Sequence, residues 1–252
     1  MEIRGAVALV TGASSGLGRA TAELLSARGA TVLAHGRDEA ALASLAERTG
    51  AITLVEELAE PGAGGRLAAR ALALNQNVDL LVANAGAGYA GPLSTMDQTR
   101  IGGLVAANLT APIELTRALL PAMLERGRGG LFYVASIAGR TGVGGEAVYA
   151  ATKAGLDTFA TSLRQELNGT GVQVGVLVPG VIATAFFERR GRPYGRMRPR
   201  LLPVGSAAQA LVRLIETGAA ERYLPRWLGL PVAIRFTAPA LYRGLAGRYG
   251  RS

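Results

Sequence analysis

Cysteine is absent from the 252 residues, and histidine and lysine occur once each. Without cysteine there is no disulfide, no thiolate nucleophile and no cysteine-ligated zinc. A single histidine, His35, argues against a histidine-based triad or a multi-histidine metal site. Long apolar runs are missing too: arginine and proline interrupt each one well short of the ~20 residues that span a bilayer. The first apolar stretch begins a few residues after Met1, which leaves no room for a signal peptide. With no internal repeat, linker or low-complexity tract, the expectation is one domain over 1–252, cytoplasmic or membrane-associated, with enough chain for a proper core.

The scarcity of lysine directs attention to the one that is present. Of 27 basic residues, 26 are arginine, and Lys153 follows Tyr149 by four positions in Tyr149-Ala150-Ala151-Thr152-Lys153. Arginine supplies a permanently charged planar fork, whereas lysine supplies a compact ammonium with a shiftable pKa. Positions i and i+4 share a helix face, so the phenol and the ammonium can approach each other. A cation beside a phenol favours the phenolate and lowers its pKa from ~10 toward neutrality. Such a tyrosine exchanges a proton with an alcohol or carbonyl oxygen. Alone, however, a tyrosine and a lysine at this spacing describe many surface helices.

Elsewhere apolar runs near 7–11, 31–35, 51–55, 80–83, 130–135 and 173–178 alternate with helical patterns. That alternation predicts an α/β fold: a doubly wound parallel sheet, Rossmann-like, in three αβα layers. The first run leads into Thr11-Gly12-Ala13-Ser14-Ser15-Gly16-Leu17-Gly18 and then an amphipathic helix. Strand, glycine-rich turn and helix form the setting of a dinucleotide fingerprint. Gly12 permits the tight turn, Gly16 lets the backbone approach a pyrophosphate, and Gly18 lets helix pack on strand. Free N–H groups at the helix start would receive the phosphate charge.

The spacing T-G-x-x-x-G-x-G followed by Y-x-x-x-K resembles the short-chain dehydrogenase/reductase family. Further matches, in order, are Asn84-Ala85-Gly86 after an apolar run, Asn108 in a helix-like stretch, Ser136 at a strand end, and Pro179-Gly180-Val181-Ile182-Ala183-Thr184. Together they cover roughly residues 5–185. The resemblance implies Asn108, Ser136, Tyr149 and Lys153 as the catalytic group. Tyr149 would be the acid in reduction and the base in oxidation, while Ser136 holds the substrate oxygen. Lys153 would tune Tyr149 and bind the nicotinamide ribose; Asn108 would keep a water beside it. The resemblance also implies cofactor contacts from Gly12, Ser14, Ser15, Gly16, Leu17 and Gly18 in the first turn. Later contacts would come from Asn84, Ala85 and Gly86, from Tyr149 and Lys153, and from Pro179, Gly180 and Ile182, with Thr184 on the carboxamide.

Cofactor choice is read at the end of the second strand, Val32-Leu33-Ala34-His35-Gly36-Arg37. NAD enzymes commonly carry a carboxylate there, and NADP enzymes an arginine nearby. Gly36 stands where the acid would fall and Arg37 follows, which predicts NADP(H). Against this, Asp38 could cap the next helix with Arg37 pointing to water. His35 is expected partly exposed beside the adenosine. Glu57-Leu58 replaces the family's aspartate and apolar residue at the adenine pocket, with a carboxylate one methylene longer.

Acidic residues are scarce late in the chain. Residues 1–185 carry 14 basic and 15 acidic side chains, whereas 186–252 carry 13 arginines and three glutamates. The excess spans a substrate loop at about 185–205 and a basic C-terminal segment at about 222–252. No nucleic-acid recognition motif accompanies the charge, so nucleic-acid binding is rejected. An arginine-rich segment with Trp227, Phe236 and Tyr242 suits a membrane surface; a lid or subunit contact is the preferred reading. The expectation is therefore an oxidoreductase acting on an apolar carbonyl or alcohol, assembled as a homodimer or homotetramer as in the family. The alternatives are a peripheral membrane dehydrogenase of a lipid, steroid or retinoid type and a non-enzymatic dinucleotide sensor.

Overall fold

Val7–Val10 (β1), Leu80–Ala83 (β4) and Gly129–Val134 (β5) are buried at every position, as strands covered on both faces must be. In the computed structural model, which describes residues 1–74, 77–195 and 199–249, they sit inside one parallel sheet. Thr31–Gly36 (β2), Ile52–Val55 (β3), Val172–Pro179 (β6) and Glu221–Leu224 (β7) complete it. The order is β3-β2-β1-β4-β5-β6-β7, and every pairing is parallel. The chain turns from one wing to the other between β1 and β4. In such a sheet the ligand crevice lies at that switch, beyond the carboxyl ends of the strands.

Gly16–Ala27 (α1), Glu39–Thr49 (α2) and Val204–Thr217 (α9) cover one face. Their apolar stripes, with Leu25, Leu42, Leu45, Leu211 and Leu214 wholly buried, pack on Val10, Val32 and Val82. The opposite face holds Ala63–Ala73 (α3), Ala111–Glu125 (α5) and Ala147–Glu166 (α7), with Leu67, Leu115, Leu119 and Leu156 against Leu9, Leu81 and Tyr133. Truncating any of these leucines to alanine costs ~2–5 kcal/mol. Between Gln98–Val105 (α4) and α5, one wide π-turn, Ala106–Thr110, carries Asn108.

Two features were absent from the sequence reading. Glu221–Leu224, assigned there to the basic segment, is the seventh strand: Val178 pairs with Tyr223 and Pro179 with Leu224. Short helices close the outline: Ile137–Thr141 (α6), Phe186–Arg189 (α8), Gly229–Thr237 (α10) and Pro239–Tyr249 (α11). Residues 196–198 of the expected substrate loop and 250–252 of the basic segment lie outside the described residues. Among the described residues no helix is long and apolar enough to cross a membrane.

Candidate active site

The glycine turn is shaped by contacts that exclude side chains. A Cβ at Gly18 would lie 2.2 Å from the Gly12 carbonyl oxygen, and one at Gly12 would lie 2.9 Å from Asn84 Nδ2. Gly12 and Gly16 both have positive φ, of 71° and 54°, a region that glycine enters without steric cost. Ser15 stands at the N-cap of α1 without a side-chain capping bond, so its hydroxyl leaves the first N–H groups of the helix to another acceptor. Thr11 ties this turn to the end of β4: its Oγ1 accepts from Asn84 N–H at 3.0 Å and Ala85 N–H at 2.9 Å. Asn84 Nδ2 returns a bond to the Thr11 carbonyl at 2.9 Å.

Asn108 is wholly buried and braces the next stretch of that loop. Its Oδ1 accepts from Ala87 N–H at 2.8 Å, while Nδ2 donates to Ala87 O at 2.9 Å and to Thr152 Oγ1 at 3.1 Å. Both amide hydrogens are therefore engaged, which leaves one Oδ1 lone pair for a water. Gly86 lies against this amide and the lysine, since a Cβ there would meet Asn108 Oδ1 at 3.1 Å and Lys153 Nζ at 3.3 Å. The π-turn presents Asn108 inward, a frequent use of such turns at functional sites.

Tyr149 and Lys153 lie on successive turns of α7, both buried. Ser136 ends β5 and caps α6, its Oγ accepting from Ala138 N–H at 3.1 Å. With the oxygen thus occupied as acceptor, the hydroxyl hydrogen is left to donate toward Tyr149. A Cβ at Gly139 would lie 2.7 Å from the Lys153 carbonyl carbon, so α6 rests directly on the α7 backbone and fixes Ser136 relative to Tyr149.

The electrostatics differ from the simple expectation of an ammonium lowering a phenol. Burial pushes Tyr149 up to about 12; the Ser136 hydrogen bond pulls it down, Glu146 adds to the rise, and Arg190 offsets part of it. Burial likewise lowers Lys153 to about 8, with Nζ donating to the Val134 carbonyl at 2.8 Å. Desolvation of each group outweighs any mutual attraction, because both sit in the low-dielectric interior.

At the end of β2, Gly36 cannot carry a side chain without displacing Ser14: a Cβ would lie 2.9 Å from Ser14 Cβ. Arg37 Nη1 donates to Glu57 Oε2 at 2.8 Å, and Glu57 Oε1 accepts from Ala59 N–H at 3.0 Å. Burial raises the Glu57 carboxyl, but these bonds and the Arg37 charge outweigh it and hold it below the usual range. Leu58 is buried beneath them in the same cleft. Asp38 does cap α2, accepting from Ala41 N–H at 2.9 Å. His35 departs from its expected exposure and is 2 % accessible. Its Nδ1 accepts from Gly12 N–H at 3.4 Å and its Nε2 faces the Glu56 carbonyl at 3.0 Å. Both ring nitrogens are satisfied in the neutral form, and burial holds its pKa below the ordinary histidine value.

One cleft of about 1320 Å³ joins all these groups, from Arg37 and Leu58 through Asn84 and Gly86 to Ser136, Tyr149 and Lys153. A family model described as short chain dehydrogenase matches residues 6–194. This chain belongs to the short-chain dehydrogenase/reductase family. It is 37% identical over 238 residues to an uncharacterized oxidoreductase of Myxococcus xanthus, covering 92% of each chain. To 3-oxoacyl-(acyl-carrier-protein) reductase FabG of Escherichia coli it is 36% identical over 186 residues, 73% of this chain and 76% of the relative. A solved short-chain dehydrogenase of Sphingobium yanoikuyae in complex with NADPH superposes with a TM-score of 0.81 at 26% identity, covering 96% of this chain and 95% of that one. As a member of this family, the chain is an NAD(P)-dependent oxidoreductase.

In this short-chain dehydrogenase/reductase the Pro179–Thr184 turn lines the cleft. Gly180 N–H donates to Leu224 O at 2.8 Å, Ile182 bridges to Leu202, and a Cβ at Gly16 would meet Thr184 Cγ2 at 3.0 Å. The glycine turn and this turn are thus in direct contact. Beyond Thr184, aromatic rings that the sequence reading did not single out wall the cleft beside Tyr149. Phe186 lies 5.5 Å from the Tyr149 ring, and Phe187 packs between Phe186 and Tyr194. Arg190 is buried there, paired with Glu146 and stacked 4.6 Å over Phe187. The C-terminal helices touch the site from behind: Arg235 donates to the Arg140 carbonyl, and Tyr242 OH donates to the Thr141 carbonyl at 2.9 Å. Both acceptors lie in α6, the helix that begins after Ser136.

Proposed function

We propose that this chain is an NADP(H)-dependent oxidoreductase interconverting a carbonyl and an alcohol on an apolar small molecule, with Tyr149 as the acid–base group. The observation that carries the reading is the convergence of a buried Tyr149, the Ser136 hydroxyl hydrogen-bonded to it, and Lys153 at one end of a cleft whose other end carries Arg37 and no carboxylate at position 36. A dinucleotide fits this cleft, because Gly12, Gly16 and Gly18 leave the backbone bare where a pyrophosphate would meet the start of α1. When bound, the nicotinamide supplies the hydride, and the protein supplies position and electrostatics.

In reduction, Ser136 donates a hydrogen bond to the carbonyl oxygen and stabilises its developing charge. Tyr149 gives its proton to the same oxygen. Lys153 would hold the ribose hydroxyls and support the phenol as it becomes negative, with Asn108 bracing the loop and offering one lone pair to a relay water. Thr184 would hold the carboxamide of the nicotinamide. A phenol pushed up to about 12 keeps its proton throughout the physiological range, which suits the reductive direction. Oxidation needs the phenolate and should therefore quicken toward alkaline pH, whereas reduction should fade above about 8 as Lys153 loses its charge. Phe186, Phe187 and Tyr194 make the substrate wall apolar.

A screen of ketones and aldehydes with NADPH and NADH tests the reading. Turnover with NADPH preferred is the expected result; a preference for NADH, or cofactor binding without turnover of any carbonyl, would refute it. A second reading places the same chemistry at a membrane surface. It is favoured by four outward apolar side chains, Trp227, Leu230, Phe236 and Leu241, which are 55%, 64%, 72% and 57% exposed, set among arginines. Sedimentation with anionic vesicles separates the two.

A further inference from the structure

At the far end of the cleft from Tyr149, five residues enclose a small pocket of about 400 Å³: Ser14, Ser15, Arg37, Asp38 and Arg189. The first four belong to the glycine turn and to the loop after β2. Arg189 belongs to α8, on the substrate side of the molecule, and reaches back so that Nη2 donates to Ser15 Oγ at 3.3 Å across a separation of 174 residues.

The charges around this pocket show what Arg189 contributes. Arg37 is already answered by Glu57, and Asp38 brings a carboxylate to the wall. With these groups alone, an incoming phosphate would meet one arginine shared with a glutamate and one opposing aspartate. Arg189 adds a guanidinium that, among the described residues, is in no ion pair and hydrogen-bonds only to a serine hydroxyl. A guanidinium fork recognises phosphate through charge-assisted hydrogen bonds, and it does so best where no carboxylate competes.

We propose that Arg189 is the second arginine of a two-sided clamp on the 2′-phosphate of NADP(H), opposite Arg37, with the Ser14 and Ser15 hydroxyls as further donors. The inference rests on the NADP(H) reading and makes α8 part of cofactor selection. The same short helix that sets Phe186 against Tyr149 then also grips the distal phosphate. Cofactor discrimination belongs in part to the substrate loop.

Calorimetry with adenosine 2′,5′-bisphosphate and 5′-AMP, which differ only in the 2′-phosphate, tests this without any turnover. The wild-type protein should bind the bisphosphate more tightly. Arg189→Ala should lose about tenfold of that affinity, the lower end for one charge-assisted contact, while 5′-AMP affinity stays unchanged and reports an intact fold. Arg189→Lys should recover part of the loss, since it restores charge without the fork. If the wild-type protein shows no preference for the bisphosphate, the NADP(H) reading itself falls and the clamp with it. If the preference exists and Arg37→Ala removes it while Arg189→Ala leaves it intact, the clamp is overturned and the NADP(H) reading stands.

Discussion

Around the glycine turn, added methyl groups at Gly12, Gly18 and Gly36 would sit 2.2–2.9 Å from neighbouring atoms, whereas at Gly191, Gly195, Gly205 and Gly244 they would meet nothing within 4 Å. The charges divide in the same way. Up to residue 185, basic and acidic side chains nearly balance, and many are paired, as in Arg66 with Glu56 and Arg140 with Asp157. Beyond it, arginines outnumber glutamates 13 to three. In the first region residue type is dictated by close approach and by chemistry at named atoms. In the second, composition follows a general surface requirement, and a few individual contacts carry the specific roles. Substitutions should therefore have sharp, selective effects in the first region and graded ones in the second.

Tyr149→Phe should give the largest effect, a loss of at least ~10²-fold in turnover with cofactor affinity retained. Near-wild-type turnover in the folded variant would end the acid–base assignment. Lys153→Arg, which keeps the charge, should be almost as damaging, because a guanidinium cannot occupy the space beside Gly86. Lys153→Met should also abolish activity, yet it should stabilise the fold at pH 7 by roughly 1–3 kcal/mol through removal of a buried charge. The sign of the pH dependence follows from burial. Between about 8 and the ordinary 10.5, the unfolded chain binds more proton than the folded one, so wild-type stability rises with pH and the advantage of the methionine shrinks. Denaturation curves at pH 7 and pH 10 with an unchanged difference would contradict this.

Arg37→Ala should weaken NADPH by about tenfold or more and NADH little, because only the former carries the 2′-phosphate. Equal losses for both would remove Arg37 from phosphate recognition. The smallest effects belong to the second region. Tyr242→Phe removes one bond to the Thr141 carbonyl and should cost ~1 kcal/mol of stability with little change in turnover. Vesicle sedimentation at low salt should show whether exposed Trp227 and Phe236 meet a membrane; binding that persists undiminished at high salt would exclude the arginines from the contact.

The cofactor turn, the α7 pair, Ser136 and six of the seven strands were legible because each depends on local spacing or on unbroken apolar runs. β7 was hidden by its own position. As an edge strand it is only partly buried, and Glu221 and Arg222 give it the look of a surface segment. His35 was misjudged because its burial depends on two partners, Gly12 N–H and the Glu56 carbonyl, that no local pattern reveals. Arg189 stood out only as one arginine among many; its meeting with Ser15 depends on the path of the whole loop. The lone lysine drew attention to a pair that proves to be buried on α7, but the rise that burial imposes on Tyr149 is not conveyed by sequence spacing.

The pairing of Gly180 with Leu224 also bears on how the molecule is made. During synthesis, the glycine turn, Ser136 and the α7 pair all leave the ribosome before the strand that holds the Pro179–Thr184 turn in place. A nascent chain halted near residue 200 would own Asn108, Ser136, Tyr149 and Lys153 and still lack the strand that braces one wall of its cleft. Completion of the cleft is thus tied to the late arrival of β7, so a chain released early would carry the proposed catalytic residues in an unfinished cleft.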